Sequence, residues 1–178
     1  MAKSTVKFGK IGHIGIVVKD LEEARARYSA FLGTDKWYEL VYDAPPELYY
    51  LGSKRECNVR LLFGGKGHTV IELIKSEGDD NIYTAFLERH GEMIHHAEYN
   101  VANLEKAIAA AEKAGLKVLQ HASFYSAGVL VRYAYVGVSE DDAVFELIET
   151  TLPIGIKKGD LPFETQLAAL TGNYKRIK

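Results

Sequence analysis

The chain is short of cysteine, of long apolar runs and of net charge, and each shortage excludes something. The single cysteine among 178 residues, Cys57, cannot close an internal disulfide and matches no paired-cysteine zinc pattern. No apolar run approaches the roughly 18 residues a membrane-spanning helix needs. The opening MAKSTVKFGKIGHIGIVV carries neither the apolar core nor the small-residue cleavage site of a signal peptide. A soluble, cytoplasmic protein with no membrane partner is expected. With 22 basic and 24 acidic residues the net charge is −2, and no basic stripe is present, so nucleic acid is not the expected partner and a small molecule is. What is there is ordinary: 47% hydrophobic and 26% charged residues exclude wholesale disorder and collagen-like or coiled-coil architectures. The length allows one domain or two small ones.

A repeat fixes the architecture. GHIGIVVKDLEEA, from Gly12, lies over HHAEYNVANLEKA, from His95, so that His13 meets His96, and VIELI from Val70 lies over VFELI from Val144, so that Glu72 meets Glu146. Alternation from His13 to Val18 reads as a strand. Asp20 then caps a helix, with Glu23 completing a capping box, Leu21, Ala24, Tyr28 and Phe31 at helical spacing, and Gly33 ending it. Asn103, the stripe Leu104, Ala107, Ile108 and Ala111, and Gly115 repeat that grammar. Strands are expected at 37–42, 58–63 and 69–75, then at 117–120, 129–135 and 143–149. The fold class is therefore α+β: two tandem βαβββ modules, about 8–80 and 91–151, pairing into a curved mixed sheet as a single domain over 8–151, with a C-terminal arm over 152–178. An insertion from Asp43 to Cys57 reads as a surface loop whose Tyr49 and Tyr50 can cover a pocket. The arm reads as containing a short helical stretch from Phe163 and is expected on the outside or across a homodimer, with a cover over the pocket as the alternative.

A histidine or glutamate inside a buried strand is costly unless something satisfies it. Singly, each reads as structural. Their recurrence at matched positions changes that, because pairing about a pseudo-twofold axis brings His13, Glu72, His96 and Glu146 onto one concave surface. Two imidazoles and two carboxylates without thiolates suit a divalent ion such as Zn²⁺, Ni²⁺, Co²⁺, Mn²⁺ or Fe²⁺. Four ligands on an octahedral ion leave two positions for adjacent oxygens of a substrate. That geometry favours loss of a proton next to a chelated carbonyl, with a carboxylate as base.

GHIGIVVKDLEEA with the later FLG, VRLLFGGKGHTVIELI, HHAEYNVANLEKAIAAAEKAGLKV and the closing VFELIE together resemble the vicinal oxygen chelate superfamily, the glyoxalase fold, over about residues 10–150, and most of all its methylmalonyl-CoA epimerase-like members. The resemblance implies a metal-dependent epimerase or isomerase. It makes His13, Glu72, His96 and Glu146 the ligands, Glu146 the first candidate for the acid/base, and His95 a neighbour; an epimerase needs a second acid/base on the other face, for which Glu72, a tyrosine or a water are the candidates. The insertion, the segment SEDDAVFEL from Ser139 and the arm depart from those epimerases where substrate selection is expected. A lactoylglutathione lyase-type enzyme shares the ligand types and the proton-transfer logic. An Fe²⁺ ring-cleaving dioxygenase would use His13, His96 and Glu146 and leave Glu72 as one ligand too many. A non-catalytic binder of the same fold typically lacks the four ligands.

Arg60, Arg132, Tyr49, Tyr133 and His95 are the further candidates for substrate contact, an inward guanidinium being suited to a carboxylate or phosphate, although strand alternation favours outward arginines. His68, His90 and His121 read as solvent-exposed. Gly64, Gly65 and Gly67 read as a hairpin turn, since no helix follows to complete a phosphate loop.

Overall fold

The structure is a computed structural model that describes residues 6, 8–66, 69–151, 157–158 and 174–177. The expected helical stretch from Phe163, and the Gly67 and His68 expected in a hairpin turn, lie outside the described residues; Gly64 and Gly65, expected in the same turn, are instead strand residues paired with Ile71 and Val70. In the first half β1 (Ile11–Val17), α1 (Leu21–Leu32), β2 (Trp37–Leu40), β3 (Glu47–Tyr50), β4 (Ser53–Arg55), β5 (Cys57–Lys66) and β6 (Thr69–Gly78) follow one another. A linking helix α2 (Ile82–His90) leads to β7 (Met93–Asn100), α3 (Leu104–Lys113), β8 (Lys117–Ser126), β9 (Val129–Gly137) and β10 (Val144–Thr151). Two short strands, β11 (Lys157–Lys158) and β12 (Tyr174–Ile177), close the described chain.

The repeat becomes a pseudo-symmetric sheet. Its order is β12-β2-β5-β6-β1-β7-β10-β9-β8-β3-β4, with β11 on β10. β1 runs parallel to β6, β7 runs parallel to β10, and the halves meet where β1 pairs antiparallel with β7. Each half thus contributes four strands in the same relative order. Alternation sorts the side chains. One face of β1 and β6 packs Ile16, Val18 and Leu73 against Leu21 and Ala24 of α1, and the same face of β9 and β10 packs Ala134, Val136 and Leu147 against Leu104, Ala107 and Ala111 of α3. The other face of both halves encloses one inner core, from Val17, Leu61 and Ile74 to Tyr133, Tyr135, Val144 and Ile148, with Ile82, Tyr83 and Phe86 of α2 packed into it.

Local chemistry explains the helices. Asp20 Oδ1 accepts from Glu23 N at 2.9 Å and so caps α1, but the reciprocal half of the expected capping box is replaced, because the Glu23 carboxylate takes Arg27 at 3.2 Å instead. Phe31 is 82% exposed, so the apolar stripe of α1 stops at the half-buried Tyr28, a turn before the helix ends. Asn103 caps α3 by accepting from Lys106 N at 2.8 Å. α2 has a full capping box, in which Asn81 Oδ1 accepts from Thr84 N and Thr84 Oγ1 accepts from Asn81 N. Asn81 followed by Ile82, Tyr83 and Phe86 was the available signal for this unanticipated helix.

The insertion is not a loop. β3 and β4 form a hairpin that extends the second half at the edge of β8, Glu47 opposite Ser123 and Tyr50 opposite Gln120. Pairing turns its two tyrosines to opposite faces: Tyr50 is buried in the inner core, whereas Tyr49 stacks on His121 at 4.9 Å on the outer face. The chain therefore leaves the first half after β2, adds a hairpin to the far edge of the second, and returns as β5. Asp43, where it leaves, accepts from Ala127 N and Gly128 N at 2.8 Å each and so grips the β8–β9 turn. Of the arm, β12 lies antiparallel along β2 at the edge of the first half.

Candidate metal centre

Register puts the four repeated polar residues together. Glu72 lies beside Gly15, two residues on from His13, and Glu146 lies beside Glu98, two residues on from His96, so each half presents one histidine and one glutamate with the same offset. All four point to the inner face and are buried. Across the seam His96 pairs with Gly15, and the absent side chain is what admits its ring: a Cβ at Gly15 would lie 2.1 Å from His96 Cε1. Gly15→Ala is expected to displace the imidazole and lower stability by about 1–3 kcal/mol, as overpacking does, read as a fall in thermal midpoint together with weaker metal uptake.

The four donor atoms form a tight cage. His13 Nε2 and His96 Nε2 are 3.2 Å apart; Glu146 Oε2 is 3.1 and 3.2 Å from them, and Glu72 Oε2 is 3.3 and 3.4 Å from them. All four atoms fall within 4.8 Å of one another. Donors about 2.0–2.2 Å from one ion sit roughly 3.0–3.5 Å apart when adjacent, so these residues fit a divalent ion as they stand. Glu72 Oε2 and Glu146 Oε2 are also buried with no well-aligned hydrogen-bond donor, which suits them to a cation.

Charge settles on the histidines when no ion is counted. Burial alone would discharge His13, but Glu72 and Glu146 outweigh it and hold its pKa well above the ordinary value; His96 is raised by the same carboxylates against the same burial. The carboxyls answer in kind. Burial pushes Glu72 and Glu146 up, yet the imidazolium charges bring both below the usual carboxylate range.

A second ring of buried polar groups lies behind the histidines. Glu98 sits where the repeat has Gly15 in the other half; its Oε2 is 3.7 Å from His13 Nδ1, and a Cβ on Gly12 would strike that oxygen at 1.9 Å. Burial pushes its carboxyl up to about 7. Behind His96 stands His95, Nδ1 to Nδ1 at 3.0 Å. Consecutive strand residues ordinarily face opposite ways, but the pairing with β1 slips between Gly15–His96 and Ile16–Ile94, and this irregularity leaves both imidazoles buried. Burial, then the nearby His96, depresses the His95 pKa well below its usual value. Beyond it Tyr83 OH is 3.0 Å from Tyr135 OH and 3.4 Å from Tyr133 OH, and Gln120 braces α2 by accepting from Ile82 N at 3.0 Å.

The other sequence candidates are not brought to the cluster. Arg60 faces outward and binds Glu39 at 2.7 Å; Arg132 faces outward to Glu105 at 2.6 Å and Glu149 at 3.3 Å. Arg132 and Tyr49 border an outer groove of about 600 Å³ between α3, β3, β8 and β9, on the opposite side of the sheet. Tyr133 faces inward but is engaged by Tyr83. His121 and His90 are both exposed, His90 being bound to Asp141 at 2.8 Å. Glu98 escaped the sequence reading, although its place opposite Gly15 in the repeat was the signal for it.

This fold and this four-residue centre define one class of protein. The sequence pattern of the Glyoxalase/Bleomycin resistance protein/Dioxygenase superfamily matches residues 12–135, and the chain belongs to that superfamily. Within it, the chain is 30% identical over 115 residues to the mitochondrial methylmalonyl-CoA epimerase of Mus musculus, covering 64% of this chain but only 57% of the mouse protein. It is 30% identical over 112 residues to the ethylmalonyl-CoA/methylmalonyl-CoA epimerase of Cereibacter sphaeroides, covering 62% of this chain and 75% of the relative. Among solved structures, a Streptomyces coelicolor methylmalonyl-CoA epimerase variant bound to 2-nitronate-propionyl-CoA superposes with a TM-score of 0.54 at 20% identity, over 80% of this chain and 97% of that one. The Mycobacterium tuberculosis methylmalonyl-CoA epimerase gives 0.52 at 19% identity, over 83% and 91%. At these identities the structural likeness speaks for the fold. No helix among the described residues is long and apolar enough to cross a membrane.

Proposed function

We propose that this chain is an epimerase or isomerase that moves a proton at the carbon next to a carbonyl, with His13, Glu72, His96 and Glu146 holding a divalent ion. One observation carries the reading: two buried carboxylates, one from each pseudo-symmetric half, flank a pair of imidazoles within hydrogen-bonding range. The ion supplies Lewis acidity toward a carbonyl oxygen when bound. The protein supplies the rest. The Glu146 carboxylate accepts the proton from one side of the substrate carbon, through the oxygen it does not give to the ion, and Glu72, related to it by the pseudo-twofold axis, stands on the other side to return one. Two faces served by two carboxylates are what inversion at carbon requires, whereas a single base would return the proton where it found it. The inner core of Phe63, Tyr133, Tyr135 and Phe86 keeps bulk water from the carboxylates.

The relatives bring methylmalonyl-CoA and ethylmalonyl-CoA as the substrates to try. Incubating each with metal-loaded protein in D₂O is expected to place deuterium at the α-carbon, seen by loss of its proton resonance. An absence of exchange on these and on other α-chiral acyl-CoA and 2-keto substrates would sink the reading.

A further inference from the structure

We propose that His95 is a positioning residue that sets the tautomer of His96, and with it the readiness of the cluster for an ion; this rests on the metal-centre reading above. The two rings face each other through Nδ1 at 3.0 Å, and a single proton occupies that gap. His96 offers a lone pair at Nε2 only when its proton is on Nδ1. His95 Nδ1 must then accept, and its own proton sits on Nε2. In the opposite arrangement His95 donates from Nδ1, and His96 carries a proton on Nε2, from which it reaches Glu146 Oε2 at 3.2 Å. A carboxylate or a peptide carbonyl in the place of His95 would accept only. An imidazole serves both forms.

Packing fixes His95 for this task. Its ring meets Phe86 at 4.8 Å and 79°, Tyr135 at 5.3 Å and 80°, and Tyr83 at 5.8 Å and 61°. Its Nε2 is buried without a hydrogen-bond partner. Among aromatic faces an Nε2–H is tolerated as a weak N–H···π donor, which favours the tautomer that makes His96 a ligand. The irregular β1–β7 pairing that leaves His95 facing inward is the device that brings it there.

Zinc is the probe, because it is diamagnetic. His95→Phe keeps a ring among rings but has no nitrogen, and its zinc affinity, measured by competition with a chelator, is expected to fall about 10–100-fold, as losses behind a metal ligand do. His95→Gln, which retains an acceptor and a donor, should recover most of that loss. His96→Ala should lose more than either. Long-range ¹⁵N–¹H spectra of zinc-loaded wild type should find the proton of His95 on Nε2. Wild-type affinity in His95→Phe, or a zinc-loaded His95 protonated at Nδ1, would overturn the proposal. Should the phenylalanine variant fail to fold, the glutamine variant and the wild-type spectra decide it. Wild type that takes up none of zinc, nickel, cobalt or manganese is a separate result, which brings the proposal down together with the metal-centre reading.

Discussion

Glu146→Gln is expected to slow α-proton exchange by about 10²–10⁴-fold, the range a positioned general base contributes, while leaving a bound metal in place. The amide keeps an oxygen for an ion but has no basic lone pair for a carbon-bound proton. The carboxylate it replaces is buried, and in the metal-free protein the two imidazoles outweigh burial and hold its pKa below the usual carboxylate range. The paired measurement is Glu72→Gln on both epimers of the same substrate. If the two carboxylates serve opposite faces, Glu146→Gln blocks exchange from one epimer and Glu72→Gln from the other. Exchange that survives Glu146→Gln from both epimers, with metal content unchanged, would assign the proton transfer elsewhere.

The second large effect is on metal affinity as pH changes. In the metal-free protein His13 and His96 hold protons above their ordinary range. An ion must displace them, so loading releases between one and two protons, and affinity rises about 10–100-fold per pH unit until the pH passes their raised values. Competition with a chelator between pH 6 and pH 8 measures this, and an affinity flat across that range would mean that the imidazoles are already neutral. Stability of the metal-free chain moves the other way. Groups whose folded pKa is raised stabilise fully below their unfolded value, here 6.5, and lose that contribution as pH climbs through the folded value. Glu72 and Glu146, lowered from 4.5, stabilise above that value and lose their contribution as pH falls through the folded one. The cluster therefore supports the metal-free fold best between about pH 4.5 and 6.5, and thermal midpoints across pH 4–9 should decline on the alkaline side. With metal bound, that decline should vanish.

These effects trace to residues the sequence made legible for a simple reason. Strand alternation and helix caps are local, and a repeat converts local pattern into long-range pairing: once His13 answers to His96 and Glu72 to Glu146, the pseudo-twofold sheet follows and the four side chains converge. The same logic located the ends of α1 and α3 through Asp20 and Asn103. It failed where the chain departs from its own symmetry. The insertion was legible as an interruption but not as a hairpin, because β3 and β4 are short and take their place from β8, some seventy residues away.

What the sequence alone determined, then, is the two-module fold and the four residues of the centre, because periodicity and repetition are properties of the chain itself. Tertiary structure decided what stands behind them. The slipped β1–β7 pairing sets His95 at the back of His96, the loss of symmetry between Gly15 and Glu98 admits one imidazole and places a carboxylate behind the other, and alternation turns Arg60, Arg132 and Tyr49 to the far face. Each depends on which strand lies alongside and in what register, and a difference of one residue there exchanges the inside of the cup for its outside.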